Sequence, residues 1–466
     1  MTAEDRTERK TWRPEWAALR VGRDRIFYKR QGIEFHGTIA PFGVEGRVTG
    51  LMRDDLTRDH FLTCSTSADF VGTTRGFSVQ LYAVSRPAAE AITAPGLGGV
   101  SIDRDSPAAH SIGRLTPRAI TFESASVRGF QRRKQNVRRA VTSEIARRFA
   151  ESAPVPVLAA GASPVDLRPM VIVWARSVMG DVVWGPDLSS GQIDYVSTQG
   201  RQASTEFRVA LHDTFRRVRR YSGRPWLRVL PSLSRLPVTA ESRRLNRNIR
   251  VLREYATTNL PQVPEGYAAR ALSDLNEHDG IDPAATLDDV LTCYLAGIDT
   301  LTATIIATLW QMLHPANTRW RDAVCEASGA ERMEIAQACV KEALRLNPPG
   351  SAFNNRVRRD VEIRVGNRGY RLRNGTRVMP HVHAIHAHSG PGFNPSAFLS
   401  SDARPYFLSF GRGARSCPGR PAGLVLAATY LSEFLRSNHT TRVSEPTENP
   451  ARFNTTSDHP LRVVVG

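Results

Sequence analysis

The chain has 466 residues, 41% of them hydrophobic and 23% charged, a globular composition long enough to bury a large core. Its 63 Lys and Arg outnumber 45 Asp and Glu, giving a formal charge of +18. Such a field attracts nucleic acid, anionic membrane or an acidic protein. No zinc-finger, RNP-type or helix-turn-helix signature accompanies it, however, so a nucleic-acid partner is not expected.

In chain order, the N-terminus Met1-Thr2-Ala3-Glu4-Asp5-Arg6 is polar and unlike a signal peptide. No apolar run is read as approaching the roughly 18–20 residues that cross a bilayer, so a cytoplasmic chain with no membrane partner is expected. Residues 1–60 show no clear periodicity and are expected to be irregular or extended. Phe77–Ile92 alternates and then shifts to helical spacing, predicting a strand that leads into a helix. A basic helical pattern covers Ser124–Ser152, and further helices are predicted over Val165–Val183, before Gly185-Pro186, and over Ala240–Thr258.

The clearest helix is predicted to open at Thr286, with Thr286 and Asp289 forming a capping-box-like start. Apolar residues then recur at helical spacing to a stop before Pro315, over much of the circumference, so this should be a central buried helix. Another helix spans Arg332–Leu346, and Pro348-Pro349 ends it. Val361, Ile363 and Val365 alternate as a strand. Tyr370–Arg373 and Thr376–Val382 flank Asn374-Gly375, the dipeptide of a tight hairpin. A loop reaches Cys417, and a last helix runs through Leu424–Leu435. The fold class is mainly α with a small β-sheet region, read as one domain over 1–466.

Five cysteines, Cys64, Cys293, Cys325, Cys339 and Cys417, include no CxxC pair, which argues against structural zinc and a disulfide framework. Cys417 stands apart. It lies in Phe410-Gly411-Arg412-Gly413-Ala414-Arg415-Ser416-Cys417-Pro418-Gly419, a glycine-punctuated loop running into a helix. Glycines allow positive φ and close approach of backbone to a flat ligand, and amides at a helix start favour a thiolate. An isolated loop cysteine is more often an inert thiol; here the spacing decides otherwise.

The segment resembles the haem-binding loop FxxGxRxCxG of the cytochrome P450 family at Phe410, Gly413, Arg415, Cys417 and Gly419. Glu342-Ala343-Leu344-Arg345 matches that family's ExxR, and Ala296-Gly297-Ile298-Asp299-Thr300 matches its (A/G)Gx(D/E)T. Alone, an i,i+3 acid–base pair is commonly a surface ion pair, and a glycine in a helix is commonly there for packing. The three motifs in order carry the resemblance, which is strong from about Thr286 onward and not visible in residues 1–60.

The resemblance implies the cytochrome P450 fold and haem b, with Cys417 as axial metal ligand, Phe410 shielding the sulfur and Arg415 pairing with a propionate. Gly411 and Gly419 belong to the same cofactor loop. Arg356, four residues before Asp360, and Arg132, on the basic helix, are expected as further propionate contacts. Glu342 and Arg345 are implied to be structural. Ala296, Gly297, Asp299 and Thr300 are implied to be catalytic: the helix would bulge to make a groove for dioxygen, with Thr300 bonding to the oxygen and Asp299 relaying protons.

Two departures stand out. Ala397 takes the place of the arginine that usually completes a Glu–Arg–Arg triad, with Arg404 or a histidine as candidate substitutes. The basic helix also lacks the family's WxxxR, Val127 or Arg128 standing near the tryptophan position.

The implied activity is a monooxygenase that hydroxylates or oxidatively couples a small-molecule or peptide substrate, with a natural-product pathway as the analogy. Electrons would come from a ferredoxin and ferredoxin reductase, since no redox module is fused, and the helix carrying Arg132, Arg138 and Arg139 would dock the acidic ferredoxin. Alternatives are a peroxide-driven haem-thiolate enzyme and a non-catalytic haem sensor. The Asp299-Thr300 pair argues against both.

Overall fold

The computed structural model describes residues 14–39, 68–75, 78–94, 102–104, 112–159, 161–197, 199–222, 239–350, 355–390, 392–400, 405–438, 441–443 and 461–465. Its first elements are α1 (Pro14–Lys29), β1 (Glu34–Ile39), β2 (Phe70–Arg75), β3 (Ser78–Ala83), α2 (Arg86–Ile92) and β4 (Ile102–Arg104). Then come α3 (Phe130–Ala140), α4 (Ser143–Ser152), β5 (Gly161–Asp166), α5 (Leu167–Trp184), β6 (Gln192–Val196), β7 (Gln202–Glu206), α6 (Phe207–Ser222) and α7 (Ala240–Asn259). The chain continues through α8 (Ala268–His278), α9 (Pro283–Met312), α10 (Thr318–Glu326) and α11 (Gly329–Leu346). Strands β8 (Asn355–Val357), β9 (Val361–Val365), β10 (Arg368–Leu372) and β11 (Arg377–Pro380) precede α12 (Val382–Ala387). Last are α13 (Arg420–Ser437), β12 (Thr441–Val443) and β13 (Arg462–Val465).

These elements form two compact units. The first comprises 1–105, 351–388 and 413–415, and the second 106–350, 389–412 and 416–466. In the first, a six-stranded sheet runs β1-β2-β3-β11-β8-β4. Residues 14–39, expected to be irregular, supply a helix and the β1 edge strand paired in parallel with β2. The fully buried Tyr28 of α1 explains why: its hydroxyl bonds to Thr376 at 2.7 Å and accepts from the Arg373 amide at 2.8 Å, so α1 is held by polar bonds within an apolar cluster.

The hairpin reading at Asn374-Gly375 is corrected. β10 pairs with β9 through the turn after Val365, whereas β11 pairs with β3 and β8. The Asn-Gly signal marks a genuine turn, with Gly375 at φ +88°, but the apolar Val378 and Met379 are buried in the larger sheet, and that burial selects β11's partners. Residues 78–92 form the strand and helix expected, whereas Phe77 lies outside the described residues.

The second unit is built around α9, against which α5, α8, α11 and α13 pack. Nearly every apolar residue of α9 is buried. Contrary to the reading of the sequence, α9 is long and apolar enough to cross a membrane by length and composition; it is instead largely buried as a core helix. Threonines are accommodated inside it because Thr304 and Thr308 donate to the carbonyls of Thr300 and Thr304, each at 2.8 Å.

Its start is also corrected. Asp282, not Thr286, is the N-cap, accepting from the Ala284 amide at 3.0 Å, and Pro283 opens the helix. Asp289 instead ties the helix to its neighbours, accepting from the Ile120 amide at 2.8 Å and from Arg133 Nε at 2.6 Å. Arg133 also reaches Glu123 and the carbonyls of Arg118 and Ala285. The adjacent Asp288 accepts from the Arg118 amide at 2.6 Å and pairs with Arg253. The basic segment read as one helix divides at Val141-Thr142, where the Thr142 hydroxyl caps α4 by accepting from the Ile145 amide.

Burial pushes the Asp289 carboxyl up to about 6, against the opposing pull of Arg133 and the Ile120 amide. A raised folded-state value means that the native chain binds the extra proton, so this group's contribution to stability falls as pH rises from about 4 through about 6. Asp289→Ala would leave the buried Arg133 charge poorly compensated and should cost about 3 kcal/mol in urea unfolding at neutral pH, with a larger loss at pH 4, where the proton-linked contribution of Asp289 is present.

Candidate functional site

In the second unit, the loop to Cys417 is braced from α11. Arg345 donates to both carboxylate oxygens of Glu342, at 2.7 and 2.8 Å, with both side chains buried. Its remaining N–H groups donate to the carbonyls of Gly390 (2.8 Å) and Gly392 (2.9 Å), and Glu342 accepts from the Asn394 amide at 2.8 Å. Backbone thus fills the role expected of a third arginine, which explains how Ala397 is tolerated. Arg404, the substitute considered from sequence, lies outside the described residues. Close by on α11, the Leu344 carbonyl accepts from the Ser409 hydroxyl at 2.8 Å.

The loop then closes on itself. The Cys417 amide donates to the Phe410 carbonyl at 2.7 Å, and the Gly411 amide to Leu408 at 2.8 Å. Phe410 stacks edge-on with Phe407, and the Arg420 guanidinium lies over both rings at 5.7 and 5.6 Å. Gly411 and Gly413 adopt φ of +68° and +64°, which a side chain would strain. Gly419 is the residue before α13, so Cys417 stands just ahead of a helix start.

The Cys417 side chain is accessible to solvent. The surrounding protein is nonetheless dense enough to push its thiol up, while the amides of Gly419 and Arg420 and the charges of Lys134 and Arg420 pull it down. Lys134 donates to the Ser416 hydroxyl at 2.8 Å. Arg132, expected to face this site, is mostly exposed and lies 3.7 Å from Asp279. Helix α3 begins only at Phe130, and the phase of its buried residues (Phe130, Arg133, Val137) turns Arg132 outward and Lys134 toward the loop. The aromatic-x-x-x-cation spacing missed in the sequence is therefore Phe130 and Lys134.

Across from this loop, α9 presents a different surface. Ala296 and Thr300, one turn apart, are exposed on a helix that is otherwise largely buried. Cys293 shares that face at helical spacing, and its thiol, raised first by burial, is raised further by the charges of Asp289 and Cys417. Cys293 and Cys417 thus lie within electrostatic reach of each other. A side chain at Gly297 would meet the end of Met179 on α5, which would have to shift. The expected bulge is not seen: α9 is continuous, and the Thr300 hydroxyl donates to Ala296 at 2.6 Å.

Asp299 turns away to α6. Its Oδ1 lies 3.0 Å from His212 Nε2, and its Oδ2 accepts from Arg219 at 2.5 Å. Burial alone would raise this carboxyl, but the His212 bond and the charges of His212, Arg219 and Arg216 hold it below the usual range. Neither His212 nor Arg219 was legible as a site residue, because no spacing on α9 announces partners on another helix.

In the first unit, Arg415 donates to the buried Asp103 at 2.6 Å. Arg356 is the direct cross-strand partner of Asp103 and also of Arg377. Arg415 and Asp103 thus form an ion pair at the strand position opposite Arg356. The cradle is tight, since a side chain at Gly413 would sit 2.6 Å from the Thr93 carbonyl.

Residues 267–457 match the sequence model of the family described as Cytochrome P450. Among solved structures, CYP175A1 from Thermus thermophilus superposes with a TM-score of 0.60 at 17% identity, covering 92% of this chain and 99% of that one. A six-coordinated cytochrome P450 from another strain of the same species gives 0.58 at 18% identity, covering 87% and 97%. Two curated relatives are geranylhydroquinone 3''-hydroxylase CYP76B74 of Arnebia euchroma and putative cytochrome P450 137 of Mycobacterium tuberculosis. The first is 28% identical over 36% of this chain and the second 30% over 35%. The matched segment spans only 37% and 35% of their own lengths.

Residues 267–457 are thus similar to the cytochrome P450 family, whose cofactor is haem b, and the fold is that of solved cytochrome P450 structures. In the second unit the residues present fit that group: an accessible thiol near cationic side chains and helix-start amides.

Arg345→Lys keeps the charge but loses the fork that serves four acceptors. It should destabilise the native state by at least about 2 kcal/mol and lower the fraction of protein recovered with bound haem, while Ala397→Arg should change neither by much.

Proposed function

We propose that this chain is a haem-thiolate monooxygenase that hydroxylates or oxidatively couples a small organic or peptide substrate, using electrons from a separate ferredoxin and its reductase. The observation that carries the reading is the accessible Cys417 thiol within electrostatic reach of Cys293, on the helix α9 that exposes Ala296 and Thr300. Cys417 would hold the iron, and Arg415, Arg356 and Lys134 would pair with the propionates, Lys134 replacing the Arg132 expected from sequence. When bound, thiolate-ligated haem supplies the activation of dioxygen.

The protein's own residues supply the rest. Phe410 closes the loop behind the sulfur and, with Phe407, keeps its surroundings apolar. Thr300 is a hydroxyl donor at the open face of α9, and its bond to Ala296 is one that a side-chain rotation exchanges for another acceptor. Asp299 holds negative charge beside it and can accept and pass on a proton. Peroxide-driven chemistry and haem sensing need no such acid–hydroxyl pair, which favours the oxygenase. Hydroxylation is the default outcome, and a relative carries a hydroxylase name.

The basic helix α3 exposes Arg138 and Arg139 on the segment that carries Lys134, a surface suited to an acidic ferredoxin. A cytoplasmic setting and a natural-product pathway complete the reading.

The reading is tested by reconstitution with a ferredoxin, its reductase and reduced nicotinamide. A substrate identified by its shift of the haem spin state should accelerate cofactor oxidation, and Thr300→Ala should divert oxygen to hydrogen peroxide. Paired Arg138→Glu and Arg139→Glu changes should slow reduction and weaken its dependence on salt. Spin-state shifts without any turnover would favour a sensor.

A further inference from the structure

We propose that His212 and Arg219 of α6 are positioning residues that aim the Asp299 carboxylate from outside its own helix. This inference rests on the oxygenase reading above and adds to it the groups that control the acid.

The geometry is two-sided. His212 Nε2 is 3.0 Å from Oδ1, and Arg219 Nη1 donates to Oδ2 at 2.5 Å, so each carboxylate oxygen has its own anchor. The anchors are seven residues apart on α6, two helical turns, and therefore share one face. His212 is buried, whereas Asp299 and Arg219 keep some solvent contact. A carboxylate bonded at one oxygen can still rotate about its side-chain torsions; one bonded at both is fixed in χ1 and χ2. Arg216 contributes positive charge, while the contacts that set direction come from His212 and Arg219.

The clamp favours the ionised carboxylate. Asp299 immediately precedes Thr300, so its orientation determines how the charge is offered to the open face of α9. Helix α6 thus shares control of a group that motif reasoning assigns to α9 alone. The alternative, an ion pair that merely ties two helices together, makes a different prediction about substitution by a donor of similar reach.

The experiment uses the full haem-loaded chain with excess ferredoxin and reductase, without added organic substrate, and dioxygen as the probe. Asp299→Asn should slow oxygen consumption by about tenfold or more. His212→Phe should reproduce at least about a third of that factor, while His212→Gln, whose amide N–H can replace Nε2–H, should return to within about twofold of the parent. Arg219→Gln should fall between them. A readout independent of turnover is a urea-unfolding cycle pairing His212→Phe with Asp299→Asn, which should be non-additive by about fivefold in the unfolding equilibrium constant.

If Asp299→Asn slows oxygen consumption and His212→Phe does not, the positioning role is wrong. Equal loss in His212→Phe and His212→Gln would also overturn it. If Asp299→Asn itself has no effect, the oxygenase role of Asp299 fails and the positioning role with it. An additive unfolding cycle would overturn the clamp itself.

Discussion

The buried pair of Glu342 and Arg345 is the constraint on which the second unit's chemistry depends. Two opposite charges removed from water are costly unless every remaining donor and acceptor is used. Here Arg345 directs its other N–H groups to the carbonyls of Gly390 and Gly392, and Glu342 accepts the Asn394 amide. A loop that would otherwise be free is thereby fixed to α11, and Ser409 adds a second tie at Leu344. From there the chain needs only the Cys417–Phe410 backbone bond to hold the thiol ahead of α13.

Helix α9 answers two opposed demands. It must be apolar enough to form the centre of a large core, yet carry polar groups on one open face. Threonine side chains bonded back to their own helix satisfy the first demand without unpaired hydroxyls at Thr304 and Thr308. Asp288 and Asp289 are neutralised near its start by Arg253 and Arg133, and Asp299 by the partners on α6. Every acid on the helix downstream of its cap therefore has a cation from another element. These arginines are paired one for one with acids, so the chain's formal charge of +18 is unchanged by them.

What the sequence made legible follows from how local each signal is. The Cys417 loop, the Glu342–Arg345 spacing and the Ala296–Thr300 run are contiguous motifs, and helix periodicity located α5, α7, α9, α11 and α13 to within a few residues. Errors arose where partners are distant in the chain. Asn374-Gly375 looked like a hairpin, but β11 is claimed by strands from elsewhere. Thr286 looked like a cap, but Asp282 fills that position and Asp289 faces Arg133. Arg132 and Lys134 differ by two positions on a helix whose start could not be fixed from a uniformly basic run. His212 gave no signal, since its meaning is set by Asp299, 87 residues further along. Residues 14–39 lacked periodicity because α1 is held by polar bonds of Tyr28 and Asp24, while Ile26 on the same helix is exposed.

The central proposal for this protein is that the Cys417 thiolate would hold a haem iron. Its most direct test is the absorption spectrum of the reduced carbon monoxide complex, recorded for the parent protein and for Cys417→Ser purified with haem. The parent should show the red-shifted thiolate-type band and the variant should lose it, with Cys293→Ser behaving like the parent. A thiolate-type band that survives in Cys417→Ser would contradict the assignment and place the ligand elsewhere.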